Sequence, residues 1–214
     1  MNDDIESARL DYERGTLDEA SVARDPYAQF GLWLAEALAT ESIVEANAMT
    51  LATVGAAGRP AARIVLLRGY DERGFRFFTN YRSRKGRELE AFPNAALVFY
   101  WAPLQRQVRI EGDVSRVTPA ESDAYFATRP RGHRLGAWAS PQSEVVVTRA
   151  PLDEELRRYE ERFAGRDVER PEYWGGYRVA PIRFEFWQGR TNRIHDRIAY
   201  EPVTDAWRIL RLAP

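Results

Sequence analysis

Along the 214-residue chain the hydrophobic positions keep two different periods, and the changeover marks out the elements. In "DPYAQFGLWLAEALAT", Phe30, Trp33, Leu34, Ala37 and Leu38 recur at helical spacing, with Asp25 as N-cap and Pro26 at the first helical position. From Ala48 the period shortens to that of strands. "AMTLATV" and "ARIVLLRGY" flank the turn "GAAGRP", and "GFRFFTN" follows "YDERG". "YRSRKGRELEAF" predicts a short helix opening at Ser83 and closed by Pro93 and Asn94. "AALVFYW" and "RQVRIEGDVSRV" are further strands around "APLQ". The second sets Val108, Ile110 and Val114 against Gln107, Arg109, Glu111 and Asp113, one face buried and one wet. "TPAESDAYFATRP" and "PLDEELRRYEERFAG" predict capped helices, and the stretch from "YRVAPIRFEFW" to "RLAP" predicts three strands joined by turns. The succession predicts a predominantly β fold with peripheral helices, an antiparallel barrel that is closed or nearly so. Residues 1–25 carry charge without periodicity and read as a mobile arm; residues 26–214 read as a single domain.

Composition narrows the function classes. The chain has 31 basic and 32 acidic side chains, a balance that argues against a general nucleic-acid or membrane-surface binder. It has no cysteine, which excludes disulfides, thiolate metal sites and cysteine nucleophiles, and two histidines make a transition-metal site a poor expectation. No apolar run reaches the roughly 20 residues a bilayer span needs, and the acidic start is unlike a targeting peptide, so a cytoplasmic location is expected. Lys85 is the single lysine, against which arginine at any one position carries little information.

Candidate chemistry concentrates in local basic clusters. "RTNRIHDR" packs three arginines around His195. Read as a strand, it puts Arg193, His195 and Arg197 on one face, roughly 7 Å apart at about 3.3 Å rise per residue. Ile194 and Ile198 then turn to the core. Such a row expects an anionic or polarised ligand, or else a solvated face neutralised by Asp196 and Glu201. In "TNYRSRKGRE", Arg84 and Lys85 at a helix start, after Thr79 and Ser83, suggest a phosphate cradle. Arg63 and Arg68 flank a buried strand with opposite parity, so both reach one site only if one lies at a strand end. Tyr125 and Arg129, four apart, share a helix face and suggest a phosphate clamp, although structural Tyr–Arg stacking is equally common.

Taken in order, "RIVLLRGYDERG", "FFTNYRSRKGRELE", "RQVRIEG", "YFATRPRGHRLGAWASPQSE", "FWQGRTNRIHDR" and "WRILRLAP" resemble the pyridoxine (pyridoxamine) 5′-phosphate oxidases, from about Tyr12 to the end. The resemblance implies an FMN-binding split β-barrel working as a homodimer, with FMN between the subunits. It carries flavin contacts onto Arg63, Arg68, Phe78, Thr79, Arg84, Lys85, Gln107, Gln142, Ser143, Trp187 and Arg197. It places the substrate phosphate by Arg68, Tyr125, Arg129 and His133, and the pyridine ring and its phenolic oxygen by Arg193 and His195, the implied catalytic pair. Arg9 and Tyr12 match an arm that closes over the site. The implied reaction oxidises a small phosphorylated pyridine at its 4′ carbon, with molecular oxygen as acceptor. Arg68 stands where lysine is usual, His133 where a small hydroxyl residue is expected, and Phe78 where tyrosine is common. Two readings compete: a phenazine-type flavin oxidase of the same fold, and a split-barrel protein that binds flavin without turnover.

Overall fold

The computed structural model describes residues 11–214, which form five helices and nine strands. The helices are α1 (Pro26–Ala39), α2 (Arg84–Ala91), α3 (Pro119–Thr128), α4 (Arg131–Ala139) and α5 (Ala150–Arg162). The strands are β1 (Ala48–Val54), β2 (Pro60–Leu66), β3 (Tyr70–Asp71), β4 (Gly74–Asn80), β5 (Asn94–Trp101), β6 (Arg106–Arg116), β7 (Trp174–Gln188), β8 (Asp196–Val203) and β9 (Ala206–Arg211).

Three helix starts obey the local chemistry of the sequence. The Asp25 carboxylate accepts from the N–H groups of Tyr27 and Ala28, and Ser83 Oγ accepts from Gly86 N–H. Thr118 and Glu121 close a reciprocal capping box at the start of α3. Helix α4 was not legible in this way. Its Pro130 N-cap makes no side-chain hydrogen bond, and Gly132 and Gly136 weaken the segment intrinsically. Packing supplies what propensity lacks: Leu135 and Ala137 are buried with Phe126, Phe163, Val168 and Trp174.

The contact pattern divides the chain into two compact units. Among the described residues, one comprises 11–51, Ala96–Gly112 and Pro181–Pro214; the other Ala52–Ala95 and Asp113–Ala180. In the first, Phe30 and Trp33 of α1 pack edge-on against Phe99 and Phe186. In the second, Phe75, Phe77 and Val179 are fully buried, and a separate aromatic cluster lies under α3, α4 and α5. The strands hydrogen-bond in the order β2-β1-β5-β6-β7-β4-β3, with β8 on β7 and β9 on β8. The fifteen-residue β7 serves both units: Trp174–Val179 pair antiparallel with β4, and Phe184–Gln188 with β8.

Residues 11–25 carry no helix or strand but are held to the first unit by specific bonds. Leu17 N–H donates to Asp196 Oδ2 at 3.0 Å, and Arg211 pairs with Glu19 at 2.6 Å. Among the described residues, no helix is long and apolar enough to cross a membrane.

Candidate active site

The second unit contains a cleft of about 480 Å³ whose charged and titratable lining groups are Arg68, Lys85, Arg129, His133 and Tyr125. Among the described residues no aspartate or glutamate lines it. Local structure explains how these groups converge. Strand β2 ends at Leu66, so Arg68 lies past the strand end, where its N–H donates to Arg76 O. That resolves the parity conflict with Arg63, which stays within the strand. Helix α3 ends at Thr128, so Arg129 is its extended C-cap rather than the fourth helical position beyond Tyr125. Both still line one cleft.

Rings rather than carboxylates support the two arginines. Phe78 stacks on Tyr125 at 3.9 Å and on Trp174 at 5.7 Å, three near-parallel planes. Arg129 lies over the Trp174 ring at 4.6 Å and Arg68 over Tyr125 at 5.9 Å. Among the described residues neither guanidinium pairs with a carboxylate. Arg129 Nη1 is buried with no hydrogen-bond partner among the described residues. Burial pushes the Arg129 guanidinium below the usual arginine range, and nearby Arg68 adds to the push while Tyr125 opposes it. A buried donor of this kind is costly unless something accepts from it, and the acceptor that suits two uncompensated guanidiniums is an oxyanion.

Lys85, Thr79 and Gln142 form the other wall. Lys85 Nζ donates to Thr79 Oγ1 at 3.3 Å and to Gln142 Oε1 at 3.2 Å, and Thr79 Oγ1 donates to the same amide oxygen at 3.0 Å. Burial lowers the Lys85 ammonium from its ordinary range; Arg63 adds to this and Glu88 opposes it. Gln142 therefore fixes the lysine. Ser143 follows in a left-handed turn at φ 75° with its side chain exposed. Arg63 and Arg84 both bond to the buried Glu88 at 2.8 Å. Burial raises that carboxyl, but hydrogen bonds from Thr53, Arg84 and Arg63 outweigh it and hold the group below the usual carboxylate range.

The remaining candidates lie in the first unit, where the strand reading of "RTNRIHDR" fails. Thr191–Arg193 form a 3-10 turn, and Asn192 and Arg193 take left-handed φ of 54° and 62°. Strand β8 starts only at Asp196, so Arg193, His195 and Arg197 do not share a strand face, and Ile194 is 67% exposed instead of buried. A Gly-Arg-Thr-Asn stretch is strong turn chemistry, and it prevailed over alternation. The row of cations is also partly neutralised. Arg197 pairs with the buried Glu185 at 2.8 Å, and Asp196 takes Arg190 at 3.0 Å and Arg211 at 2.9 Å.

His195 keeps a defined environment. Its ring lies 4.8 Å from Trp187 and 5.8 Å from Tyr12, and its Nδ1 accepts from Arg190 N–H at 3.1 Å. Burial, then Arg193, hold the imidazole below its ordinary pKa, so the neutral ring carries its proton on Nε2. Trp187 pairs across strands with Arg197, and Gln107 lies half-buried on β6. Arg9 falls outside the described residues.

With the geometry in place, relatives identify the lineage. The family profile described as pyridoxamine 5′-phosphate oxidase matches residues 35–160, more than half of the chain. The chain belongs to the pyridoxamine 5′-phosphate oxidase family. A second profile, the pyridoxine 5′-phosphate oxidase C-terminal dimerisation region, matches residues 174–214. The pyridoxine/pyridoxamine 5′-phosphate oxidase of Thermosynechococcus vestitus is 59% identical over 98% of this chain and 99% of its own. That of Rubrobacter xylanophilus is 56% identical over 99% and 97%. Among solved structures, PhzG from Burkholderia lata 383, in complex with tetrahydrophenazine-1-carboxylic acid, is similar at a TM-score of 0.85 and 30% identity, covering 93% of this chain and 98% of that one. The fold class is the mostly antiparallel one expected, that of the family's split barrels.

Sequence reasoning missed three residues that shape these sites. Glu88 was signalled by its i,i+4 spacing from Arg84. Trp174 and Glu185 gave no local signal, because each reaches its arginine only through a side-chain contact made by the fold.

Proposed function

We propose that the protein is an FMN-dependent oxidase that converts pyridoxine 5′-phosphate and pyridoxamine 5′-phosphate into pyridoxal 5′-phosphate. The alcohol and one O2 give the aldehyde and H2O2; the amine, O2 and water give the aldehyde, ammonia and H2O2. The observation that carries this reading is the cleft of Arg68, Arg129 and Lys85 with no lining carboxylate among the described residues. It suits phosphate esters, and it lies in a chain whose full-length relatives bear the corresponding name.

The residues present fit FMN. Arg63, Arg84 and Lys85 take its phosphate, with Lys85 already directed by neutral Thr79 and Gln142 rather than by an acid. Phe78, Gln107, Gln142, Ser143, Trp187 and Arg197 are assigned to the rest of the cofactor. When bound, FMN supplies the two-electron acceptor for oxidation at the substrate's 4′ carbon and the route to oxygen. The chain itself binds and orients. Arg68, Arg129, Tyr125 and His133 hold the substrate phosphate. Arg193 and the Nε2–H of His195 hold the pyridine ring's phenolic oxygen, which favours the charge distribution of the reacting ring. Tyr12, packed on Trp187, covers that end.

The protein is a homodimer in this reading, with FMN at the subunit interface. The support is the dimerisation profile over residues 174–214, which contains Trp187, Arg193, His195 and Arg197. The phenazine-type alternative draws on PhzG, but the oxidases of phosphorylated pyridines match at 59% against 30% identity. Aerobic turnover of the FMN-loaded protein tests the reading. Pyridoxine 5′-phosphate should yield pyridoxal 5′-phosphate and peroxide one to one; bound FMN without product would indicate a carrier.

A pH dependence follows from His195. Its pKa is depressed in the fold, so the neutral form is the native one. Both stability and the Arg190 N–H to Nδ1 bond are complete above the unfolded value of about 6.5 and are lost as pH falls through the lower folded value. The acid limb of the kcat/KM profile should therefore lie below about 6.5 and vanish in His195→Asn.

A further inference from the structure

Glu88 is 7% exposed on α2, a position where an unpaired carboxylate would be costly. Its Oε2 accepts from the Thr53 hydroxyl at 2.6 Å and from Arg63 Nη2 at 2.8 Å, and its Oε1 accepts from Arg84 Nε at 2.8 Å. Arg63 is held at a second point, because its Nη1 donates to Thr53 Oγ1. Strands β1 and β2 and helix α2 are thereby tied at one carboxylate.

We infer that Glu88 is a positioning residue for the FMN phosphate, fixing Arg63 and Arg84 and trimming three cations to the charge of one phosphate. This rests on the cofactor reading above. Arg63, Arg84 and Lys85 carry three positive charges and Glu88 one negative, which leaves two. A phosphate monoester carries about −1.5 to −2 near neutral pH, so the set matches it. Glu88 also repels an anion, but both its oxygens are turned to the cations, which cancels much of its field. What remains is orientation: a guanidinium held at two points loses little freedom when phosphate arrives. Glu88 touches neither substrate nor cofactor in this account. It acts through the arginines.

Glu88→Gln keeps the volume but sets an amide NH2 against guanidinium donors. Full-chain apoprotein titrated with FMN and, separately, with riboflavin, both followed by flavin fluorescence, separates positioning from general support of the fold. FMN affinity should fall about tenfold or more while riboflavin affinity, which lacks the phosphate contribution, stays within about twofold. Equal weakening of both flavins, or FMN binding that is unchanged or tighter, would overturn the inference. If Glu88→Gln does not fold, Glu88→Asp decides: charge kept but reach shortened should still lower the FMN-to-riboflavin affinity ratio, and an unchanged ratio overturns it. A wild-type protein that does not prefer FMN to riboflavin would instead sink the cofactor reading.

Discussion

Replacing Arg129 with alanine should raise the KM for pyridoxine 5′-phosphate by about 100-fold while FMN binding holds. Arg129 rests on Trp174, pairs with no carboxylate among the described residues, and has a buried Nη1 without an acceptor. A phosphate oxygen supplies that acceptor. One hydrogen bond between charged groups contributes about 1.5–3 kcal/mol, which spans roughly 10- to 150-fold in affinity. Removing the guanidinium also uncovers the Trp174 face, so the upper part of that range applies. Steady-state kinetics with pyridoxine 5′-phosphate, set beside an FMN titration, checks it. A variant whose KM is unchanged, or whose FMN affinity collapses in parallel, would remove Arg129 from the substrate phosphate.

The second large effect concerns stability. Gly74→Ala should cost about 3 kcal/mol or more, lowering Tm by about 6–12 °C in a chain of this length. Gly74 opens β4 at φ 127°, and a Cβ there would lie 2.0 Å from Val179 O. That oxygen belongs to β7, paired with β4 through Phe75 and Val179, so the obstacle is sheet backbone and not a side chain that can swing away. Strain at the dihedral and the clash act together. Gly86 is also constrained: a Cβ there would meet Tyr81 O at 2.0 Å, so the first turn of α2 lies against that backbone. Thermal unfolding of Gly74→Ala decides the matter, and a Tm within a degree or two of wild type would contradict the packing described.

How far the sequence foretold these sites depends on the range over which each signal acts. Asp25, Ser83 and Thr118 cap helices by contacts within three residues, and those starts were legible. Lys85 was legible as the lone lysine beside a helix start. Helix α4 was not, since its glycines argue against it and only burial of Leu135 and Ala137 under distant Phe163 and Val168 holds it. Residues 190–197 misled for the opposite reason: apparent alternation suggested a strand, while the turn chemistry of Thr191 and Asn192 governed the backbone. The motif order still pointed to the right family, because a resemblance reads the whole constellation at once. What it left out were the supporting groups. Glu88 beneath Arg63, Glu185 beneath Arg197 and Trp174 beneath Arg129 are tied to their arginines by tertiary contacts that no short stretch of sequence displays.

One measurement bears most directly on the central claim: mix the FMN-loaded protein with pyridoxine 5′-phosphate in the absence of oxygen and follow the flavin absorbance. Bleaching of the band, with one pyridoxal 5′-phosphate formed per flavin and colour restored on admitting air, is the predicted result. A flavin that stays oxidised beside saturating pyridoxine 5′-phosphate and pyridoxamine 5′-phosphate would contradict the account and turn the cleft of Arg68 and Arg129 over to another anion.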